Sequence, residues 1–202
     1  KRSNDITFEF VNKNPDRFLS VAFVTPYYPE ECIPELERCF DQLDMKFLKI
    51  YPDYFGKPND DVAYFPIYEF LNDRSLSVMA HAKYPFDKPD LNLTNRYTQL
   101  AERFPNVKWV LAHAGGGGDD EVEAAKAVPS VYLETCGSGA RYNGVKNSVE
   151  GAGADRVLFG TDAPLLDQRH QIAKVTTADI SEDAKKRVLG LNAIELLGLD
   201  IR

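Results

Sequence analysis

Three residues that can bind metals or transfer protons each end an apolar run of the kind that forms a buried strand. His81 ends LSVMAH, His113 ends VKWVLAH, and Asp162 follows RVLFGT. An ionised carboxylate at the end of an apolar layer is costly unless it is paired, hydrogen-bonded or bound to a cation. Imidazole nitrogens and carboxylate oxygens bind divalent metals, and both groups also accept protons. The pattern predicts that the three side chains meet in one catalytic site.

The β-rich runs alternate with amphipathic segments along the whole chain of 202 residues. Six such runs start near residues 18, 45, 76, 108, 130 and 156. Strands that are apolar on both faces and are separated by helical crossovers indicate a parallel sheet covered by helices. The spacing is that of a (β/α)8 barrel, in which eight units take about 250 residues. We therefore predict an α/β fold of the TIM-barrel type, with residues 1–202 as a single domain.

Side-chain alternation along the strands predicts where the histidines point. Met79 and His81 lie two apart in one run, and Leu111 and His113 lie two apart in another, so each pair shares one side of its strand. Catalytic residues of such barrels lie at the carboxyl ends of the strands. We expect both histidines to face the barrel interior at that end.

Composition excludes several other classes of protein. The net charge of -7 argues against a nucleic-acid partner, which would select a basic face. No apolar run approaches the roughly 18 residues that a membrane span needs, and no secretory signal begins the chain, so we expect a cytoplasmic protein that does not contact membranes. The cysteines, Cys32, Cys39 and Cys136, are expected to be free thiols, with Cys136 a small core residue.

Taken together and in order, several motifs resemble the amidohydrolase superfamily, and most closely its amidohydrolase 2 group, related to aminocarboxymuconate semialdehyde decarboxylase. The motifs that carry the resemblance are LSVMAHA, FPNVKWVLAHAGG, PSVYLETCGS and GADRVLFGTDAP. The resemblance implies a TIM-barrel metal-dependent hydrolase in which His81 is a metal ligand. It implies that Asp162 binds the metal and acts as general base, and that His113 contacts the substrate or the attacking water.

The chain departs from this family at its start. Members open with a strand that carries His-x-His, which supplies two metal ligands, and the only histidine here besides His81 and His113 is His170. If the strand before Asp162 is the eighth, FLSVAFVT is the third, so we expect a barrel that lacks its first one or two β/α units. Such an arc would expose two strand edges, which favours association into a homo-oligomer.

The implied chemistry uses a divalent metal, with Zn²⁺ expected, that lowers the pKa of a bound water to about 7. Asp162 would accept the proton of that water while the metal and His113 polarise a small carboxylate- or carbonyl-containing substrate. Arg141, which follows the glycine-rich segment after Cys136, is placed to bind a substrate carboxylate with two hydrogen bonds. Lys49 is a second candidate for an anionic substrate, although a surface or ion-paired lysine fits its position as well. Hydrolysis and decarboxylation both remain open.

Two alternatives use the same residues differently. The missing His-x-His motif favours a catalytically inactive barrel remnant with a structural or interaction role. A metal-independent lactonase would use Asp162 as the base and Arg141 or Lys49 as carboxylate anchors. Loss of activity on chelation would exclude the lactonase.

Overall fold

Six parallel strands form the centre of the molecule in a computed structural model that describes residues 1–82, 92–113, 118–137 and 141–200. The strands are β1 (Val21–Phe23), β2 (Phe47–Lys49), β3 (Ser77–His81), β4 (Lys108–Ala112), β5 (Val131–Glu134) and β6 (Val157–Leu158). Their order in the sheet is their order in the chain, so each crossover joins neighbours. Within the described residues β1 and β6 each pair with one strand only, and the sheet is an open arc. The α/β fold is confirmed.

One helix precedes β1, the others follow the strands, and the helices cover one face of the arc. They are α1 (Arg2–Val11), α2 (Pro29–Glu37), α3 (Pro52–Phe55), α4 (Phe65–Asp73), α5 (Leu93–Arg103), α6 (Asp119–Ala127), α7 (Gly144–Ala152), α8 (Gln168–Thr176), α9 (Glu182–Lys186) and α10 (Asn192–Leu197). The opening run ITFEFV, whose apolar residues fit both a strand and a helical face, lies in α1. No helix in the described ranges is long and apolar enough to cross a membrane.

The strand register assigns each side chain to one face of the sheet, because residues paired in a parallel sheet point the same way. Val78 pairs with Trp109, and Ala80 pairs with Leu111. Residues on this face are buried under the helices, and Trp109 packs against Tyr68 of α4 with ring centroids 4.9 Å apart. This face is the hydrophobic core between sheet and helices.

The opposite, inner face carries the residues that are able to do chemistry. Lys49 pairs with Met79, and His81 pairs with Ala112 of β4. Glu134 pairs with Leu158 and so points the same way at the end of β5. The polar ends of β2, β3 and β5 therefore meet at the carboxyl edge of the inner face.

The prediction that alternation along β4 turns His113 inward is wrong. Leu111 pairs with Ala80 and faces the helices, so a continued strand would send His113 outward as well. The strand instead ends at Ala112, and His113 has a φ of 62°, in the left-handed region. The left-handed turn, rather than the strand period, brings His113 to the inner face.

The polypeptide after β6 agrees with its sequence pattern at one helix cap and differs from it at two other positions. Ser181 caps α9 by accepting a hydrogen bond from the Ala184 amide, as a serine before acidic residues predicts. A glycine late in a helical segment commonly ends the helix. Gly190 does not, because one π-helical turn, Arg187–Leu191, connects α9 directly to α10. An asparagine at a helix start commonly caps it, but the Asn192 side chain is buried and donates to two carbonyl oxygens beside β6. These two hydrogen bonds anchor the last helix to the sheet.

A polar cluster at the β1 edge joins α1, α2 and the sheet. The Asn4 amide accepts a hydrogen bond from the Phe23 backbone N–H at 2.8 Å and donates to Glu35 at 2.9 Å. Arg38 binds the same carboxylate through two nitrogens, at 2.7 and 2.9 Å. The Arg38 hydrogen bonds, reinforced by that of Asn4, hold the pKa of Glu35 at about 2 despite its partial burial.

This cluster predicts a defined loss of stability in acid. Since the folded pKa of Glu35 is lowered, its contribution is fully present above the unfolded value of about 4.3 and is lost as pH falls towards about 2. We expect Glu35→Gln to lower the free energy of unfolding by about 1 to 3 kcal/mol at pH 7, and by much less near pH 2.5. Urea unfolding at both pH values measures the difference.

Glu37→Gln is the matched control, because Glu37 is an exposed carboxylate on the same helix. It should change the free energy of unfolding by less than about 0.5 kcal/mol at either pH. An equal loss for Glu35→Gln at both pH values would contradict the assigned role of its charge.

Candidate metal and proton-transfer site

His81 is held at the end of β3 by groups that follow β2. The Tyr51 ring packs against the imidazole with centroids 4.2 Å apart, and Asp53 Oδ2 lies 3.6 Å from His81 Nδ1. The other oxygen of Asp53 is buried and has no hydrogen-bond partner among the described residues. A carboxylate beside one ring nitrogen fixes the tautomer and orientation of a metal-binding histidine. The arrangement turns Nε2 of His81 towards the open inner face.

The His81 imidazole is neutral near pH 7. Burial is the main cause that lowers its pKa to about 4. Lys49 and the neighbouring His113 lower the pKa further, whereas the negative charge of Asp53 raises it. A neutral imidazole has one free lone pair, and this is the form that binds metals.

A buried polar network supports the backbone at the end of β3. The Asn59 amide donates to the His81 carbonyl oxygen at 3.4 Å and to the Tyr97 hydroxyl at 2.8 Å. The Tyr68 hydroxyl donates to the Asn59 carbonyl at 2.6 Å. Because Tyr68 and Tyr97 belong to α4 and α5, the helical layer fixes the position from which His81 projects.

His113 meets His81 across the ends of β3 and β4. The two Nε2 atoms are 2.8 Å apart, and the rings are nearly perpendicular. The other nitrogen of His113, Nδ1, lies 3.0 Å from Cys136 Sγ. The predicted approach of the two histidines therefore occurs, and Cys136, although buried as expected, is part of the site as well.

Glu134 underlies this contact. It is 2% exposed, and it accepts hydrogen bonds from the Cys136 amide at 2.7 Å, the Cys136 thiol at 2.8 Å and the His113 amide at 3.3 Å. The carboxylate thus joins the end of β5 to the turn that follows β4. The left-handed backbone of His113 is fixed by one of these bonds.

Glycine at position 160 makes room for this carboxylate. A Cβ on Gly160 would overlap Glu134 Oε1 and approach the Cys136 side chain at 3.3 Å. The Gly160 amide donates to the Thr135 hydroxyl at 3.3 Å, which keeps the end of β6 close to the end of β5. The site therefore requires a residue without a side chain at position 160.

The hydrogen-bonding capacity of the two histidines fits a shared cation. If Nδ1–H of His81 faces Asp53 and Nδ1–H of His113 faces Cys136, both Nε2 atoms present lone pairs to each other at 2.8 Å. Facing lone pairs require a proton or a metal ion between or beside them. Two nitrogen ligands on a tetrahedral zinc lie roughly 3.3 Å apart, given Zn–N bonds of about 2.0 to 2.1 Å. A small opening of the pair would accommodate the ion.

A second group of metal-capable atoms overlaps the first. Of the described residues, His113, Glu134 and Cys136 have potential ligand atoms within 4.8 Å of one another. Burial and then the Glu134 charge raise the pKa of Cys136, so its sulfur is a thiol rather than the thiolate that binds metals. Since this thiol and carboxylate are already hydrogen-bonded to each other, the His81 side of His113 suits a metal better.

Asp162 follows β6 at the same end of the sheet. Its φ of 56° is left-handed, and its carbonyl accepts a hydrogen bond from the Leu165 amide at 2.9 Å. Its negative charge acts to raise the pKa values of both Lys49 and Cys136. Burial is the larger influence on each group; it lowers the pKa of Lys49 and raises that of Cys136. Left-handed backbone at a residue other than glycine costs about 1 to 3 kcal/mol and concentrates at functional sites. Asp162 and His113 share this feature.

Lys49 projects from the end of β2 into the same region. Burial lowers its pKa, while the charges of Glu134, Asp162 and Asp53 oppose that shift. Its ammonium is thus a partly desolvated cation surrounded by acidic groups.

Arg141 approaches the start of α6. Its side chain is 60% exposed, and a guanidinium nitrogen lies 3.9 Å from Asp119 at the start of α6. The glycines at 115–117 and residues 138–140, which flank parts of the predicted site, fall outside the described residues.

Besides Cys136, which was predicted only as a core residue, two participants in the site were not predicted from the sequence. Glu134 ends the apolar run SVYLE, so the criterion that identified Asp162 applied to it equally. Asp53 follows Tyr51-Pro52 in the short helix after β2, and no pattern in the sequence connects it to a histidine 28 positions later.

Comparison with known proteins agrees with this architecture. The model of the amidohydrolase 2 family, described as amidohydrolase, matches residues 2–199. The chain belongs to this family. It is 26% identical over 240 residues to 2-amino-3-carboxymuconate-6-semialdehyde decarboxylase of Dictyostelium discoideum, and 25% identical over 251 residues to gamma-resorcylate decarboxylase of a Polaromonas species. The alignments cover 98% and 99% of this chain but 66% and 76% of those two decarboxylases.

Solved structures support the barrel-type fold of this amidohydrolase. A 2,6-dihydroxybenzoate decarboxylase complexed with 2,6-dihydroxybenzoate superposes with a TM-score of 0.78 at 19% identity, over 98% of this chain and 76% of that one. A dihydroxybenzoic acid decarboxylase from Polaromonas, with bound manganese and the inhibitor 2-nitroresorcinol, has a TM-score of 0.77 at 22% identity. Coverage there is 100% of this chain and 75% of that chain.

The packing of Gly160 against Glu134 yields a testable consequence. We expect Gly160→Ala to destabilise the protein by about 1 to 3 kcal/mol, since the added methyl group must displace the buried carboxylate. Chemical denaturation measures the change.

Gly190→Ala is the control, because a Cβ there has nothing within 4 Å and the residue is helical. That variant should be neutral or more stable by up to about 1 kcal/mol. Equal stability of the Gly160→Ala and Gly190→Ala proteins would mean that Glu134 is not held where the structure has it.

Proposed function

We propose that the protein is a metal-dependent decarboxylase of a small carboxylic acid whose carboxylate is attached to an aromatic ring or a conjugated double bond. The observation that carries the proposal is the approach of His81 Nε2 to His113 Nε2 at 2.8 Å, on a face that Lys49 and Asp162 also reach. The family and the decarboxylases among its relatives support the reaction class. The neighbour that carries manganese supports a divalent metal.

The metal would be held by His81 and Asp162, with His113 beside it. A bound divalent ion would polarise the substrate carboxylate and lower the pKa of a coordinated water. The neutral state of His81 and the carboxylate at its Nδ1 suit this role. Zinc and manganese are both consistent with a site of imidazole and carboxylate ligands.

The chain's own residues would bind the substrate and move a proton. Lys49, a partly buried cation, would attract the substrate carboxylate. When the bond between the carboxylate and the adjacent carbon breaks, the electron pair stays on that carbon and CO₂ leaves. Asp162 would relay a proton from water to this carbon, and the ring of His113, whose Nε2 is directed at the cation, would lie beside the reacting group. The walls formed by Tyr51 and the ends of β3 to β5 would limit the access of water.

Hydrolysis is the second candidate, and the family description favours it. In that reaction Asp162 would accept the proton of an attacking water instead of delivering one to carbon. Arg141 as a further carboxylate anchor requires its exposed side chain to turn towards the inner face.

We also propose self-association through the open sheet edges. Val21 of β1 is 37% exposed, and Phe18 and Leu19 just before it are more so. Apolar side chains along an unpaired strand favour pairing with another chain.

The decarboxylase proposal is tested with 2,6-dihydroxybenzoate as the probe. The chain loaded with Mn²⁺ or Zn²⁺ should release CO₂, and EDTA should abolish the reaction. Asp162→Asn removes the proton carrier while keeping a residue that tolerates the left-handed backbone, and should reduce the rate by about 100-fold or more.

His170→Gln is the control for this assay, since His170 is an exposed residue of α8 and should leave the rate unchanged. CO₂ release that survives EDTA would contradict the metal dependence of the reaction. No CO₂ release from the metal-loaded protein would contradict the decarboxylase proposal for this substrate.

A further inference from the structure

We infer that Glu134 and Cys136 act as positioning residues that keep His113 in its Nδ1-protonated tautomer, so that its Nε2 lone pair faces His81. The inference rests on the proposed function for the use of that lone pair. The position of the proton itself is a property of the protein without metal or substrate.

The argument starts from the Cys136 sulfur, which lies between two partners. It is 2.8 Å from Glu134 Oε2 and 3.0 Å from His113 Nδ1, and a thiol has one proton to donate. An ionised carboxylate can only accept, and hydrogen bonds to a charged acceptor are roughly twice as strong as neutral ones. The thiol proton therefore belongs to Glu134.

His113 must then donate to the sulfur. With the thiol proton directed at Glu134, the sulfur presents lone pairs to His113 Nδ1, and a close N···S contact without a proton would be repulsive. Placing the neutral-ring proton on Nδ1 removes it from Nε2. The nitrogen that faces His81 at 2.8 Å is then an acceptor or ligand rather than a donor.

The surroundings hold the hydrogen bonds from His113 to Cys136 and from Cys136 to Glu134, here called the relay, in one geometry. Glu134 is 2% exposed and Cys136 is 6% exposed, so bulk water competes poorly for either group. The carbonyl oxygen of the next residue, Gly137, accepts hydrogen bonds from Gln171 at 3.2 Å and Lys174 at 3.3 Å, both on α8. Helix α8 thus fixes the segment that carries the thiol.

In the metal-free protein the 2.8 Å contact between the two Nε2 atoms needs one proton, because two facing lone pairs repel. With His113 protonated at Nδ1, His81 supplies that proton from Nε2 and His113 accepts it. When a cation replaces this proton, His81 carries its ring proton on Nδ1, where Asp53 Oδ2 lies 3.6 Å away. Both Nε2 lone pairs are then free to face the cation.

The test is ¹⁵N NMR of the histidine side chains in metal-free protein at neutral pH, which distinguishes a protonated from an unprotonated ring nitrogen. The chain has three histidines, and His81→Gln and His170→Gln variants assign the signals. We expect His113 to carry its proton on Nδ1. Cys136→Ala should shift the ratio of tautomers by roughly tenfold towards Nε2–H, since it removes the acceptor. Cys136→Ser should retain the Nδ1–H form, because a hydroxyl also donates to Glu134 and accepts from the ring.

Cys39→Ser is the matched control, as Cys39 is a buried thiol 3.6 Å from another carboxylate, that of Glu35. It should not change the His113 signals. A proton on Nε2 of His113 in the unaltered protein would overturn the inference, and this result does not depend on any variant folding. An unchanged tautomer ratio in folded Cys136→Ala would overturn it as well.

The inference and the proposed function fail separately. If His113 carries its proton on Nδ1 but the protein releases no CO₂, the inference about the tautomer holds and the decarboxylase proposal fails. If His113 carries its proton on Nε2 in an active, metal-dependent enzyme, the proposed function holds and the inference fails.

Discussion

The buried carboxylate of Glu134 holds together the ends of three neighbouring strands. It sits at the end of β5, accepts the His113 amide after β4, and packs against the backbone of Gly160 after β6. An ionised group at 2% exposure is costly, and three hydrogen-bond donors together with the nearby Lys49 charge offset that cost. The positions of His113, Cys136 and Gly160 all follow from satisfying this one group.

Lys49 and the acidic groups around it give the inner face its electrostatic character. The lysine is partly buried at the end of β2, and this burial lowers its pKa. The negative charges of Glu134, Asp162 and Asp53 partly offset that shift. The positive charge of the lysine helps to keep His81 neutral. A site that combines the partly buried Lys49 cation with the neutral imidazole of His81 accommodates an anionic substrate and a divalent metal together. The left-handed backbone of His113 and Asp162 adds conformational strain at the same place.

The sequence predicts the fold and part of the site for physical reasons. Alternation of apolar runs and helices dictates a parallel sheet, and residues that end such runs must appear at one edge, which correctly brings His81 and His113 together. The face that His113 occupies could not be derived from strand period, because register and a left-handed turn decide it. Glu134 was accessible to the same argument as Asp162. Asp53 was not, because its approach to His81 depends on how β2 and β3 pair and on a short helix after β2.

The central claim is that the two Nε2 atoms mark a cation site, and crystals of the 202-residue chain grown with Zn²⁺ test it most directly. Diffraction at the zinc absorption edge should give an anomalous peak within about 2.0 to 2.1 Å of His81 Nε2, on the side that faces His113. A peak bound instead by Cys136 and Glu134, or no peak near either histidine, would contradict the account.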